Sequence, residues 1–175
     1  MVHVRHSHLR GQLRVDLGRY LHPHHRPPVL IDPAVERARR REQLWHLADI
    51  AEQALLLQPQ AEAAIMSCGV LGTVPDSVAL DLGQLSHCYS RLNQQLKQLS
   101  VDPPVAGLRS ELRKVLSYHL HMLRDAGDLV FSGRRDPRTE RFRLELAEGL
   151  GPYAARLAEL TAECADRLSA APRQP

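Results

Sequence analysis

The sequence predicts an all-α protein, built as an up-down antiparallel bundle of about four long helices. Three observations lead to this fold class. Apolar residues make up 43% of the chain but aromatic residues only 4%, so the core must consist mainly of Leu, Ala and Val, a composition that favours helices over sheets. Asp-Pro pairs recur at intervals suited to helix starts, and the segments between them repeat apolar residues every three or four positions.

Asp-Pro pairs mark helix starts because the Asp carboxylate accepts unpaired backbone N–H groups and Pro fits the first helical position. The chain contains three such pairs: Asp32-Pro33, Asp102-Pro103 and Asp136-Pro137. A fourth start is predicted near Asp76, which follows a proline. In the first helix, Pro59 is predicted to break or kink the chain and Gly69 to end the segment that resumes after it.

The second and third segments carry apolar seams of heptad type. Their spacing alternates between three and four residues at Val78, Leu82, Leu85, Tyr89, Leu92, Leu96 and Leu99, and at Val105, Leu108, Leu112, Val115, His119, Met122, Ala126 and Leu129. The last helix is predicted to be kinked near Gly149-Pro152. Because the links near residues 100–103 and 132–136 are short, neighbouring helices are expected to run antiparallel.

The sequence predicts three parts of the chain: a basic, His-rich N-terminal arm at residues 1–31, a helical bundle at 32–170 and a disordered tail at 171–175. Residues 1–26 hold five arginines and one aspartate, a net charge of +4, whereas the rest of the chain is nearly neutral. The arm has one tyrosine, Tyr20, and little other aromatic character, which disfavours a nucleic-acid function.

Three cysteines without CxxC spacing indicate free thiols in a reducing compartment, and no charged and apolar leader opens the sequence. No apolar run approaches the roughly 18 residues of a membrane span. The sequence therefore predicts a cytoplasmic protein. Among the cysteines, Cys68 is expected to be the most accessible because Gly69 follows it.

His119 lies at the centre of the apolar arc of its helix, where an imidazole needs a hydrogen-bond partner. Reflecting the helices about their turns places Tyr89 and Tyr153 about one turn from it. This predicted polar layer has two interpretations: a structural network that fixes the helix register, or a pocket in which His119, Tyr89 and Tyr153 bind a small ligand or metal.

A second candidate metal-binding region is the arm, which holds six closely spaced histidines: His3, His6, His8, His22, His24 and His25. A flexible segment can turn several neutral imidazoles toward one ion, so adventitious zinc or nickel binding is expected there. No cysteine or acidic residue completes a defined site, and the sequence indicates no cofactor.

Elimination favours a non-catalytic helical-bundle module for protein-protein interaction or regulation, one that forms a homo-oligomer. Di-iron bundles need Glu-x-x-His on facing helices, and phosphate loops need Lys followed by Ser or Thr, and neither spacing occurs. Leu80 and Leu144 lie off the core arcs of their helices, where they could contribute to a dimer face. The alternative is the small-ligand or metal-binding bundle centred on His119.

Overall fold

The computed structural model of the chain describes residues 32–69, 74–132 and 137–170. Every regular element in these ranges is a helix: α1 is Pro33–Gly69, α2 Asp76–Gln98, α3 Pro103–Ser132, α4 Pro137–Ala147 and α5 Pro152–Ala170. The all-α prediction is therefore confirmed. The predictions about the His-rich arm at residues 1–31 and the tail at 171–175 concern residues outside the described ranges.

The four predicted helix starts coincide with the observed ones. Helices α1, α3 and α4 begin at the prolines of the three Asp-Pro pairs, and α2 begins at Asp76. The Asp32 carboxylate accepts a hydrogen bond from the Ala34 amide at 2.8 Å, as expected of an N-cap. Asp102 has a different role, because its carboxylate forms an ion pair with Arg39 on α1 at 2.8 Å.

The predicted break at Pro59 is wrong: α1 runs without interruption through 37 residues. Pro59 lies on the exposed side of the helix, whereas Ala54 before it and Ala61 and Ile65 after it are fully buried. Burial on both sides of the proline holds the two parts of the helix in one element, and this packing offsets the missing backbone hydrogen bond.

The predicted kink in the last helix is a complete interruption. Residues 148–151 separate α4 from α5, and Gly149 and Gly151 adopt φ values of 66° and 51°. This left-handed conformation is open to glycine and costly for other residues. The described residues therefore contain five helices, where the sequence predicted about four.

Contacts between named residues give the helix directions. Arg39 near the start of α1 meets Asp102 beyond the end of α2, while Ala54 in the middle of α1 meets Tyr89 in the middle of α2. Helices α1 and α2 are therefore antiparallel. Helix α3 returns along α2, α5 packs along α1, and α4 covers the C-terminal end of α1. Helix α1 contacts all four other helices and is the centre of the fold.

The core consists mainly of leucine and alanine side chains, with Tyr89 and His119 as its aromatic members. The heptad seams of α2 and α3 face this core, except that Val78 and Leu99 at the two ends of the α2 seam are half-buried. Within the described ranges, no helix is long and apolar enough to span a bilayer.

Candidate functional site

The structure brings His119 and Tyr89 together in the core. Both residues are 0% exposed, and their rings stack with centroids 5.3 Å apart and planes 27° apart. Tyr89 lies on the seam of α2 and His119 on the seam of α3, so the antiparallel pairing of two heptad seams produces this contact.

His119 is held as a neutral imidazole. Its Nδ1 lies 2.9 Å from the Val115 carbonyl oxygen, one turn earlier on α3, which assigns the ring proton to Nδ1. Burial lowers the pKa of His119, opposed by this hydrogen bond and by the charge of Glu62. Nε2 is buried and has no hydrogen-bond partner within the described part of the chain. The ring therefore presents one unused acceptor.

Tyr89 connects this ring pair to α1. Its hydroxyl donates a hydrogen bond to the Ala54 carbonyl oxygen at 3.0 Å. Burial raises the pKa of Tyr89 well above its usual value, so the phenol stays neutral throughout the physiological range. Ala54 is buried in mid-helix, and its carbonyl oxygen accepts this side-chain bond across the interface between α1 and α2.

Glu62 is a member of this region that the sequence analysis did not identify. Its charge acts on His119, and a Cβ atom built on Gly149 would lie 2.9 Å from Glu62 Oε1. The carboxylate therefore lies against the glycine turn between α4 and α5. Helical periodicity does not predict this contact, because the contact depends on the left-handed turn at Gly149.

Tyr153 is not part of the buried layer, contrary to its predicted position. Its side chain is 39% exposed, and its ring stacks on Tyr118 with centroids 3.8 Å apart and planes 16° apart. The glycine turn before α5 interrupts the helical phase, so reflecting one continuous helix placed Tyr153 on the wrong face. Of the three predicted site residues, the structure brings two together.

The buried layer has few groups for chemistry on a ligand. One neutral imidazole nitrogen lacks a partner, the phenol is occupied by Ala54, and the described residues hold no group of three or more His, Cys, Asp or Glu that could bind a metal. The six arm histidines, His3, His6, His8, His22, His24 and His25, lie outside the described residues.

Cys68, the predicted accessible thiol, is buried at 1% exposure. The cause is the close packing of α4 on the end of α1: a Cβ atom on Gly69 would lie 2.6 Å from the Ala147 backbone nitrogen. The glycine that suggested an exposed turn instead permits two backbones to approach each other. The prediction for Cys68 is therefore wrong.

Helix α1 has four large exposed apolar side chains; Val35 lies in its first turn, and we call the other three, Trp45, Leu56 and Met66, the α1 outer row. They are 58%, 82% and 44% exposed, and each is about three turns from the next. Trp45 is the single tryptophan of the chain. Leu80 and Leu144 are 69% and 71% exposed, as predicted, but each lies on a different helix.

Charges of opposite sign flank Trp45 along α1. Arg37, Arg40 and Arg41 precede it and are exposed, and none of them forms an ion pair with another described residue. Asp49 and Glu52 follow it, and Asp49 accepts a hydrogen bond from Gln53 at 2.8 Å. The exposed Glu42 also precedes Trp45, so the segment before Trp45 has a net positive charge and the segment after it a net negative charge.

Comparison of the chain with protein-family models, with curated proteins and with solved structures finds no match.

Proposed function

We propose that the chain is a non-catalytic interaction module that self-associates through the outer face of α1. The observation that carries this proposal is the α1 outer row: three large apolar side chains, one of them the single tryptophan, exposed on one helix. Large apolar patches on soluble proteins commonly mark interaction sites. Tryptophan is the side chain most enriched among residues that dominate binding energy.

Covering this row would favour association. A tryptophan buries about 150–250 Å² when covered, and apolar burial contributes about 25 cal/mol per Å². Trp45 is 58% exposed, so covering its remaining area is worth about 2–4 kcal/mol in each copy. Leu56, which is 82% exposed and lies about three turns further along α1, adds a comparable apolar area.

The flanking charges favour a second copy of this chain as the partner, in an antiparallel arrangement. Arg41 and Asp49 lie four residues before and after Trp45. A twofold axis passing near Trp45 brings Arg41 opposite Asp49 of the partner subunit, and the same pairing repeats on the other side of the axis. Such self-complementarity is the requirement for a symmetric dimer interface.

Light-scattering mass after size exclusion tests the proposal. At a chain concentration of about 100 µM, a dimer with a dissociation constant of about 1 µM is almost fully formed, so the expected mass is twice that of the chain. Trp45→Ala should return the single-chain mass, whereas Leu80→Ala, an exposed leucine on α2, should not change it. A single-chain mass for the unaltered protein at this concentration contradicts the proposal.

Charge exchange tests the antiparallel geometry. Arg41→Asp places like charges opposite each other and should weaken the dimer, and so should Asp49→Arg. The double variant Arg41→Asp with Asp49→Arg restores both pairs and should recover the dimer. If the double variant is as weak as the single ones, the dimer uses another geometry.

A second candidate function is supported by the unpartnered Nε2 of His119. In this alternative the bundle binds a small ligand or metal at His119 and Tyr89. Metal analysis and an absorbance spectrum of untagged protein test it. Stoichiometric metal or a visible band that is lost in a folded His119→Ala variant would support this function, and colourless, metal-free protein would contradict a metal or coloured ligand at this site.

We further propose which part of the chain forms the folded domain. Residues 32–170 form an up-down antiparallel bundle in the cytoplasm, and the stability of this bundle does not depend on the basic segment at residues 1–31. Deleting residues 1–31 is therefore expected to leave the midpoint of thermal unfolding unchanged. A lower midpoint would show that the arm belongs to the folded domain.

A further inference from the structure

A groove of about 440 Å³ runs between α2 and α3 on the surface of the bundle. It is open to solvent and mostly polar, and Leu120 is its single aliphatic lining residue. Its principal polar side chains come from one face of each helix: Ser90, Asn93 and Lys97 from α2, and Ser117, Arg124 and Asp128 from α3. The groove contains neither His119 nor the α1 outer row.

The centre of the groove is an amide-hydroxyl pair. Asn93 Nδ2 lies 3.0 Å from Ser117 Oγ, and Asn93 is 7% exposed with an Oδ1 atom that has no partner in the described part of the structure. When the amide donates to Ser117, the serine hydroxyl proton is free for another acceptor. When the amide is turned the other way, its NH₂ group is free instead. Both orientations leave a donor unused at this point.

Two cationic side chains approach this pair from opposite ends of the groove. Lys97 follows Asn93 by about one turn on α2, and Arg124 follows Ser117 by about two turns on α3. The helices are antiparallel, and helical side chains lean toward the N-terminus of their own helix. Both long side chains therefore lean back toward the amide-hydroxyl pair. Neither forms an ion pair with any other residue that the structure describes.

Carboxylates occupy the far end of the groove. Asp125 pairs with His121 at 3.2 Å, and Asp128 lies about one turn further along α3. They follow Ser117 by about 12 and 16 Å of helix, so the negative end lies beyond Arg124 and away from the centre. The groove thus has donors and cations around the amide-hydroxyl pair, whereas its carboxylates lie too far along α3 to contact a small ligand bound there.

We propose that this groove binds the oxyanion of a small phosphate monoester, held between Lys97 and Arg124 at Ser117. Such a monoester occurs either as a free metabolite or as a lipid headgroup. Binding at this groove is independent of self-association through α1.

Calorimetric titration at low ionic strength, where surface charge contacts are strongest, tests the proposal. The probes are O-phosphoethanolamine, inorganic phosphate, ethanolamine and vesicles that contain phosphatidylethanolamine. O-phosphoethanolamine and inorganic phosphate should both bind, and ethanolamine alone should not. Absence of saturable binding of the two soluble phosphates, or binding to vesicles alone, would overturn the proposal.

Substitutions locate the binding. Lys97→Gln and Arg124→Gln should each weaken O-phosphoethanolamine binding at least about fivefold, as expected when one charge-assisted contact is lost. Arg91→Gln is the matched control, an exposed cation on α2 outside the groove, and should leave binding unchanged. Equal losses in all three variants would indicate nonspecific charge and overturn the proposal. Trp45→Ala should keep full binding, which separates this test from that of the dimer.

Discussion

Tyr89 and His119 stack in the core, and each directs one polar atom to a helix backbone: the Tyr89 hydroxyl to Ala54 on α1, and His119 Nδ1 to Val115 on α3. The pair therefore joins three helices at one level. A polar contact inside an apolar core also penalises a shift of register, because a helix moved by one turn would leave these atoms without partners.

The buried imidazole predicts acid sensitivity. Burial lowers the pKa of His119 in the folded protein, while the unfolded chain keeps its usual value near 6.5. Below that pH the unfolded chain binds more protons, so the free energy of unfolding should decrease as the pH falls toward the folded-state pKa. The limiting slope is about 1.4 kcal/mol per pH unit.

Urea unfolding at several pH values measures this effect. The decrease below about pH 6.5 should be smaller in His119→Phe, which keeps a ring but cannot be protonated. Should that variant fail to fold, the imidazole NMR signals of the unaltered protein give the pKa of His119 directly. A pKa at or above the usual value, or an unchanged pH profile in His119→Phe, would contradict the prediction.

The Tyr89 hydroxyl can be tested separately from its ring. Tyr89→Phe should keep the stack on His119 and lose the hydrogen bond to Ala54, at a cost of about 1 kcal/mol in the free energy of unfolding. Tyr153→Phe is the control, because that tyrosine is partly exposed. Equal stability of the Tyr89→Phe variant and the unaltered protein would show that the hydroxyl contributes nothing.

The contact between Gly69 and α4 predicts a steric effect. A Cβ atom on Gly69 would lie within 2.9 Å of three backbone atoms of Ala147 and Arg143, so Gly69→Ala must displace α4 and should cost about 1–3 kcal/mol. Gly83→Ala on α2 meets no atom within 4 Å and should stabilise by about 0.5–1 kcal/mol through helix propensity. Thermal unfolding compares the two, and changes of the same sign would contradict the prediction.

Thiol reactivity should distinguish the three cysteines. Burial raises the pKa of Cys68, and burial also raises the pKa of Cys164 to about 11, so both are protonated and covered at about pH 8. Cys88 is half-buried. A chromogenic disulfide reagent should react with native protein mainly at Cys88 and with all three thiols in denaturant. Fast reaction in a Cys88→Ser variant would contradict this assignment.

The sequence predicted the helix starts accurately because those signals are local. An Asp-Pro pair sets a capping carboxylate and a fixed φ at one position, independent of the rest of the fold. The seams of α2 and α3 were equally predictable, since a repeat of three and four residues defines one helix face. These two features alone were enough to predict the contact between Tyr89 and His119.

The failures share a physical cause, which is that each depended on packing between distant segments. Pro59 remains in a helix because residues on both sides of it are buried by other helices. Tyr153 lies on a different helix face from the predicted one because the left-handed residues Gly149 and Gly151 interrupt the helical periodicity before α5. Cys68 is covered because α4 packs on Gly69. None of these is encoded within a few residues of the position concerned.

The central place of α1 has a consequence for synthesis on the ribosome. Helix α1 is made first, but α5, which packs along it, is made about a hundred residues later. At typical rates of about 5–20 residues per second, the side of α1 that packs against α5 stays exposed for several seconds before α5 is synthesised. The hairpin of α2 and α3 needs only a short connection and can form meanwhile. A nascent chain stopped before α5 should therefore bind chaperones more strongly than the finished protein.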